Sequence, residues 1–516
     1  MAHFAENTFA LDEMIKGGWL CAQGPYLDYI SELTSFNPGL KKADPKNKEN
    51  HPLKPGNATV VMLEMLGGDR GVEKKEFKCA LDLQKYFDQE PPVNTPNPRR
   101  RIYLMEGLAQ DYVSVLGKQF YMDPSFFMRQ ERTCVWSNDF TPISDALPQP
   151  SLLQPNKNFL IQYCELRQFD NELSNAPLYC HRTGRHIGMT PARMEEKTTT
   201  GILRRKCSFW SRRTNGGGWD AVFLCDPQLE ELWPKQPKQI NNDSFQEGYI
   251  DFLPTPDHLT VTAKPKHPRT SMLRDMCYYL ENHHDLIPTN DWNDPVSSSL
   301  FMKKIIAAHY LQLVDYIKAM LPSLELRLSS GWIEEQEQWR SLQTISRRCG
   351  NYRDDIEDTL LSLGLPLSEP NSTSTDDWKD YSKDFQYIYL RLKLLKQRAD
   401  SLMTAMTGLA SIAGNRQALD EAKRAKRLTL IGMVFIPLAY STSLFSMSGN
   451  FAPGQSQFWV YWAVSVPLIV VTFVVTYMMN LVLDEKADFT LRRFRKKDSV
   501  QRRKKRAATG IWTSGR

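Results

Sequence analysis

The sequence predicts a membrane protein of α+β class: a cytoplasmic mixed α/β domain, a long helical stalk and a C-terminal two-helix transmembrane hairpin. Three observations predict it. Between Leu428 and Leu483 there is no Asp, Glu, Lys, Arg or His, although 24% of the 516 residues are charged. Upstream of that stretch, apolar residues recur at alternating spacings of three and four, the signature of a helical seam. The first 290 residues instead carry short β-rich runs separated by Pro- and Asn-rich loops.

Residues 1–290 supply the α/β domain. Strands are expected over 58–66 (ATVVMLEML), 101–108 (RIYLMEGL) and 159–166 (FLIQYCEL), from their β-branched and aromatic content. The runs LRRKCSFWSRR and WDAVFLCD, joined by Thr214-Asn215-Gly216-Gly217-Gly218, form a hairpin. The nine cysteines are scattered without a CxxC pair, which suits a reducing compartment. The N-terminus lacks the basic region and apolar core of a signal peptide. No P-loop, GxGxxG or GxSxG occurs, so no enzyme class is indicated. Cys180, His181 and His186, and the pair His283-His284, have loosely ligand-like spacing but no companion cluster, and read as ordinary loop residues. The acidic run Asp354, Asp355, Glu357 and Asp358 reads as a solvated helix face.

The stalk is expected over 297–427. Its first block, about 297–363, is bent or interrupted near Pro322, and 364–375 (GLPLSEPNSTST) makes the turn. The second block is one long helix from about residue 376, with Thr375 as N-cap and Phe385, Ile388, Leu392, Leu395, Ala399, Leu402, Met406, Leu409 and Ala413 as its seam. Such a seam asks either for an antiparallel partner from the first block or for a copy of itself.

The hairpin comprises a first span over 428–445, an outer loop over 446–457 and a second span over 458–483. A bilayer core of ~30 Å needs about 20 helical residues, which the second span exceeds and the first barely approaches. Phe458, Trp459, Tyr461 and Trp462 cluster where an interfacial belt would sit. Lys423, Arg424, Lys426 and Arg427 precede the first span. The tail, 484–516, holds twelve Lys/Arg against four Asp/Glu, while the connecting loop is neutral. Positive flanks stay inside, so both termini are expected in the cytoplasm, with the plasma membrane preferred to an organelle. Because the whole chain carries only +6, the basic tail accounts for the excess and reads as a lipid-headgroup determinant, not as a nucleic-acid contact.

A long helix running into a short first span, then a neutral loop and a second span, resembles the CorA-type divalent cation channels. The segment LTLIGMVFIPLAYSTSLFSM is similar to that family's first-span signature, and LGKQFYMDPSFFMRQ (116–130) to its short helix meeting a "DP" turn. The resemblance looks closest to divergent CorA-like proteins of filamentous fungi. It implies a metal ion transmembrane transporter, not an enzyme, assembled as a homopentamer in the bilayer, with a divalent cation (Mg²⁺ first) as transported ion and no cofactor. It also implies a pore lined by Leu428, Gly432, Ile436, Ala439 and Ser443. The family carries Gly-Met-Asn after the first span; this chain reads Ser446-Met447-Ser448-Gly449-Asn450, so these five residues are the expected pore mouth and Asn450 can replace the usual asparagine. The alternative is a non-conducting membrane-anchored scaffold or sensor of the same build.

Overall fold

The structure is a computed structural model that describes residues 18–44, 53–54, 56–66, 71–89, 98–133, 153–170, 177–194, 199–214, 216–229, 232–233, 242–254, 269–325, 332–367, 377–446 and 453–478. The chain divides into two units, Met1–Thr404 and Ala405–Arg516.

The first unit is organised by a sheet in which ten strands are described. The first strands, β1 (Thr59–Met65), β2 (Val72–Phe77) and β3 (Arg100–Glu106), pair antiparallel, with β1 in the middle. β3 then pairs in parallel with β8 (Trp219–Cys225), and β8 pairs antiparallel with β7 (Thr199–Arg213). β7 is long enough to serve two neighbours along one edge. Residues 207–213 face β8, and 199–203 face β6 (His186–Met194). Its other edge is covered by β4 (Asn158–Phe169). Short strands β5 (Pro177–Cys180), β9 (Leu232–Trp233) and β10 (Asn242–Ser244) complete the sheet.

Both faces of the central strands are buried, as the near-continuous apolar runs require. On one face Val60, Met62, Tyr103, Met105, Val222 and Leu224 pack with Leu83, Phe87, Tyr112, Leu116 and Phe120 of α2 (Ala80–Asp88) and α3 (Gln110–Phe120). A short α1 (Pro25–Leu33) joins this layer, where the Tyr26 hydroxyl donates to the Met122 carbonyl at 3.0 Å. α4 (Pro124–Glu131) follows the Asp123-Pro124 turn, and the Asp123 carboxylate accepts from the Ser125 amide at 2.8 Å as its N-cap. The opposite face is covered by α5 (Met272–His283) and α6 (Leu300–Glu325). There the Cys207 Sγ lies 3.0 Å from Met302 Sδ and 3.7 Å from Cys225 Sγ. The described cysteines are free thiols. Gly218 is fixed by the parallel junction, because a Cβ there would sit 2.0 Å from the Arg99 carbonyl oxygen.

The layers are pinned by buried ions. Asp226 receives Arg185, the Lys206 amide at 2.8 Å and the Gln130 side-chain amide at 3.0 Å; Gln130 in turn accepts from the Ser208 hydroxyl at 2.7 Å. This one carboxylate therefore ties α4 to β7 and to the loop before β6. Such a hub stabilises only while every partner is present, since an orphaned buried charge is far costlier than the pair.

α7 (Trp332–Ser362) and α8 (Tyr381–Phe445) form the helical pair. Ser346 bonds Asp400, Gly350 lies against Lys396, and Gln386 donates to the Pro366 carbonyl at 3.2 Å, so the two run antiparallel. The long helix begins at Tyr381, later than expected, and is capped by Asp380, whose carboxylate accepts from the Ser382 and Lys383 amides at 3.1 and 3.3 Å. Thr375, the expected cap, lies outside the described residues. The expected interruption near Pro322 falls inside α6, which continues to Glu325. The acidic run is not wholly solvated: Asp355 pairs with Arg204 of β7 at 3.1 Å, and burial lifts its carboxyl to about 6. Asp354 and Glu357 hold Arg353 on the helix surface.

At the base of α8, Lys303 of α6 is buried between the rings of Phe159, 4.9 Å away, and Tyr381, 4.0 Å away. Lys304 beside it pairs with Asp384 at 2.6 Å. Burial pulls the Lys303 ammonium down to about 7, with Asp294 pulling weakly the other way.

In the second unit α8 continues to Phe445, and α9 spans Phe458–Met478. The Thr442 and Tyr461 hydroxyls meet at 3.1 Å, and the Phe445 and Tyr461 rings cross edge to face at 6.0 Å. These contacts return α9 alongside α8.

Two predictions follow from the first unit. Asp226→Ala leaves Arg185 buried without its carboxylate and is expected to cost about 3–5 kcal/mol, read as a lower unfolding midpoint in denaturant, with Asp226→Asn intermediate. For Lys303, the unfolded chain holds the proton up to its ordinary 10.5 and the folded chain only to about 7, so folding is relieved of this penalty as pH rises through that window. Wild type should therefore gain stability relative to Lys303→Met between pH 7.5 and 9.5, by up to about 1.4 kcal/mol per unit. Parallel curves in a pH-resolved thermal scan would contradict it.

Candidate ion pathway

The apolar segments of α8 and α9 are long and hydrophobic enough to cross a membrane, and little of either is buried by the chain itself. In hydrocarbon every backbone polar group needs an internal partner. The helices meet this, and so do several of their hydroxyls, whereas the buried Ser465 hydroxyl on α9 has no hydrogen-bond partner among the described residues. Thr429 donates to the Ala425 carbonyl at 2.8 Å, Ser441 to Pro437 at 2.9 Å, Thr442 to Leu438 at 2.7 Å and Thr472 to Leu468 at 2.8 Å. Three of the four Ser/Thr side chains of the first span, Thr429, Ser441 and Thr442, are therefore bonded within their own helix.

The faces of the first span are sorted by rotation, at 100° per residue. Pro437 and Ser441 are buried within the hairpin, as is Ser465 on α9. Leu428, Gly432, Ile436, Ala439 and Ser443 fall on the other side of the helix, where Leu428 and Ile436 are 72% and 71% exposed. The chain thus leaves unpacked the stripe expected to line a pore. At Gly432 an added Cβ would meet only Ile436 of its own helix, at 3.9 Å, so its smallness is not used inside the subunit. Gly432 and Ile436 of the stripe also border an apolar groove of about 490 Å³, lined further by Thr429, Met433, Pro437 and Tyr440 with Leu468 and Thr472.

Of the expected pore mouth, Ser446 is exposed and its amide closes the last turn onto the Thr442 carbonyl at 2.9 Å. Met447, Ser448, Gly449 and Asn450 lie outside the described residues, as do 479–483 and the basic tail. Among the described residues no group of three or more His, Cys, Asp or Glu can hold a metal ion. Cys180 and His186 are brought to the β5–β6 edge, but the His186 ring lies tilted 5.2 Å from that of Tyr179 and bonds the Gly188 carbonyl at 2.9 Å. Sequence reasoning missed the Thr442–Tyr461 bond and the buried Ser465. Tyr461 stood in the aromatic cluster, whose interfacial role masked its hydroxyl.

An α/β unit joined to a helical pair and two apolar helices, one presenting an unpacked small and aliphatic stripe, defines a candidate two-span membrane protein. Residues 288–486 match the family described as CorA-like Mg²⁺ transporter protein. The matched residues take in α6, the helical pair and both apolar helices, and the description is of a transporter. A comparison with curated proteins found no match. Two solved structures are matched at low identity. The CorA magnesium transporter from Methanocaldococcus jannaschii is 12% identical, with 80% of this chain and 96% of that chain covered and a TM-score of 0.35. The full-length CmaX protein is 10% identical, with 82% and 98% covered and a TM-score of 0.37.

The hydroxyl pair within the hairpin makes a modest prediction. Tyr461→Phe and Thr442→Val should each weaken the hairpin by about 0.6 kcal/mol, the usual worth of such bonds in membranes. The double variant should be no worse than either single one, as a double-mutant cycle in lipid would show.

Proposed function

We propose that the chain is a subunit of a CorA-type divalent cation channel or transporter, with Mg²⁺ as its first cargo. The observation that carries this is the family match over 288–486, supported by the unpacked stripe on the first span. Two spans cannot enclose a pore, so conduction requires a ring of subunits, and the homopentamer of the resemblance is the assembly proposed. In that ring Leu428, Gly432, Ile436, Ala439 and Ser443 face the axis. Leu428 and Ile436 form apolar rings that can close the path by dewetting.

Mg²⁺ surrenders its water reluctantly. A mouth of hydroxyl, amide and carbonyl oxygens can therefore hold the hydrated ion through its own waters, weakly enough for it to leave. Ser446, Ser448, Gly449 (through its carbonyl) and Asn450 supply those oxygens, with Met447 between them. The neutral loop adds no acids to concentrate cations, which favours modest flux. The basic flanks support cytoplasmic termini and a plasma-membrane location, with anionic lipid headgroups as contacts. No bound cofactor takes part; the cation is cargo.

The test is flux of Mg²⁺, Zn²⁺, Co²⁺ and Ni²⁺ into liposomes holding purified protein. Mg²⁺ flux is expected, with Asn450→Ala or Ser448→Ala changing the preference among ions and Gly432→Leu reducing flux at least tenfold at unchanged assembly. Failure to pass any divalent cation under any gradient overturns the proposal in favour of the membrane-anchored scaffold.

A further inference from the structure

Away from the apolar helices, the first unit holds a cavity of about 250 Å³ between α6, α7 and the start of β7. Its inner wall is apolar and aromatic: Tyr316 and Met320 come from α6 and Tyr352 from α7. The mouth is cationic. Arg340 and Arg348 both line it, with the hydroxyls of Ser341 and Thr344 between them on the same helix. Arg340 and Arg348 are two turns apart, roughly 12 Å along the axis, so their long side chains can converge on one anion.

What marks the place is the pair of guanidinium groups at its border. Several buried or half-buried arginines elsewhere in this unit hold carboxylates: Arg101 with Asp220, Arg167 with Glu165, Arg182 with Glu106 and Arg204 with Asp355. Arg353, one turn further along α7, holds Asp354 and Glu357. Among the described residues neither Arg340 nor Arg348 has an ion-pair partner, although both border a cavity. The field reaches the floor as well. Burial lifts the Tyr352 hydroxyl above its ordinary range, while Arg348 and Arg204 pull it the other way, and the Arg204 guanidinium lies 5.9 Å from the Tyr352 ring.

A guanidinium pair selects a phosphate or carboxylate. Tyrosine rings and a methionine thioether behind it select a flat ring. A volume below that of drug-sized pockets admits only a small molecule. We propose that this cavity binds a small aromatic anion, its ring against Tyr316, Met320 and Tyr352 and its anionic group between Arg340 and Arg348. A nucleotide and an aromatic acid share that chemistry.

The test uses the full chain in lipid nanodiscs, with empty nanodiscs as blank. Equilibrium dialysis compares AMP with adenosine and inorganic phosphate, and 1-naphthoate with 1-naphthol and acetate. At least one aromatic anion should bind tenfold or more tightly than either of its halves, AMP pointing to a nucleotide and 1-naphthoate alone to an aromatic acid. The double variant R340Q/R348Q should weaken that binding at least tenfold with the ligand-free unfolding temperature unchanged. Absence of binding by both anions, a neutral ring or bare anion binding equally well, or binding that survives in the double variant would each overturn the proposal.

Discussion

The long helix α8 has to change partners along its length, and much of the structure answers that demand. From Phe385 to Ala399 its apolar seam is buried, with α7 running antiparallel beside it through the Ser346–Asp400 bond and the Gly350–Lys396 contact. Further on, Leu409, Ile412 and Leu419 are exposed, and then the charges stop altogether. A helix whose stripe outlasts its partner is stable only where something else covers the rest. Lipid can cover Leu428 to Phe445, and copies of the same helix can cover both stretches. A lone chain in water would leave them wet, and the hydrophobic effect makes that arrangement the least favourable one.

Ionic hubs hold the α/β layers with less tolerance than the apolar core does. Asp226, Asp220 and Asp355 each sit among arginines inside the fold, where the gain from pairing is set against desolvation and the geometry must be good to win. Their service is to fix register: each ties a strand to a helix or to a neighbouring strand at one defined position. Lys303 sits with its charge against two rings, where burial outweighs the pull of Asp294 and favours the neutral amine.

Much of this was legible in the residues. The runs at 58–66, 101–108 and 159–166 and the hairpin through Gly218 all emerged as strands, because β-branched and aromatic periodicity is local information. The parallel pairing of β3 with β8 was not legible, since residues more than a hundred positions apart leave no local trace. β5 and β6 were missed because HIGMTPARM breaks its alternation with Gly and Pro. Asp355 looked like any solvated acid until Arg204 was brought to it from another element. The seam left two partners open, and its first part took the antiparallel one. The stripe of the first span was read from spacing and falls on the unpacked face, whereas four of the five mouth residues lie outside the described residues.

The β3–β8 junction also sets an order of events during synthesis. The edge of β3 stays unpaired until residues 219–225 have emerged, so the N-terminal strands wait for a partner made more than a hundred residues later. Once β8 is out, about two hundred residues still precede the first apolar helix. At ribosomal speeds of ~5–20 residues per second, that is on the order of tens of seconds. The α/β unit can thus close its sheet on the ribosome before the first apolar helix is made, and a chaperone that shields the open β3 edge would act within that interval.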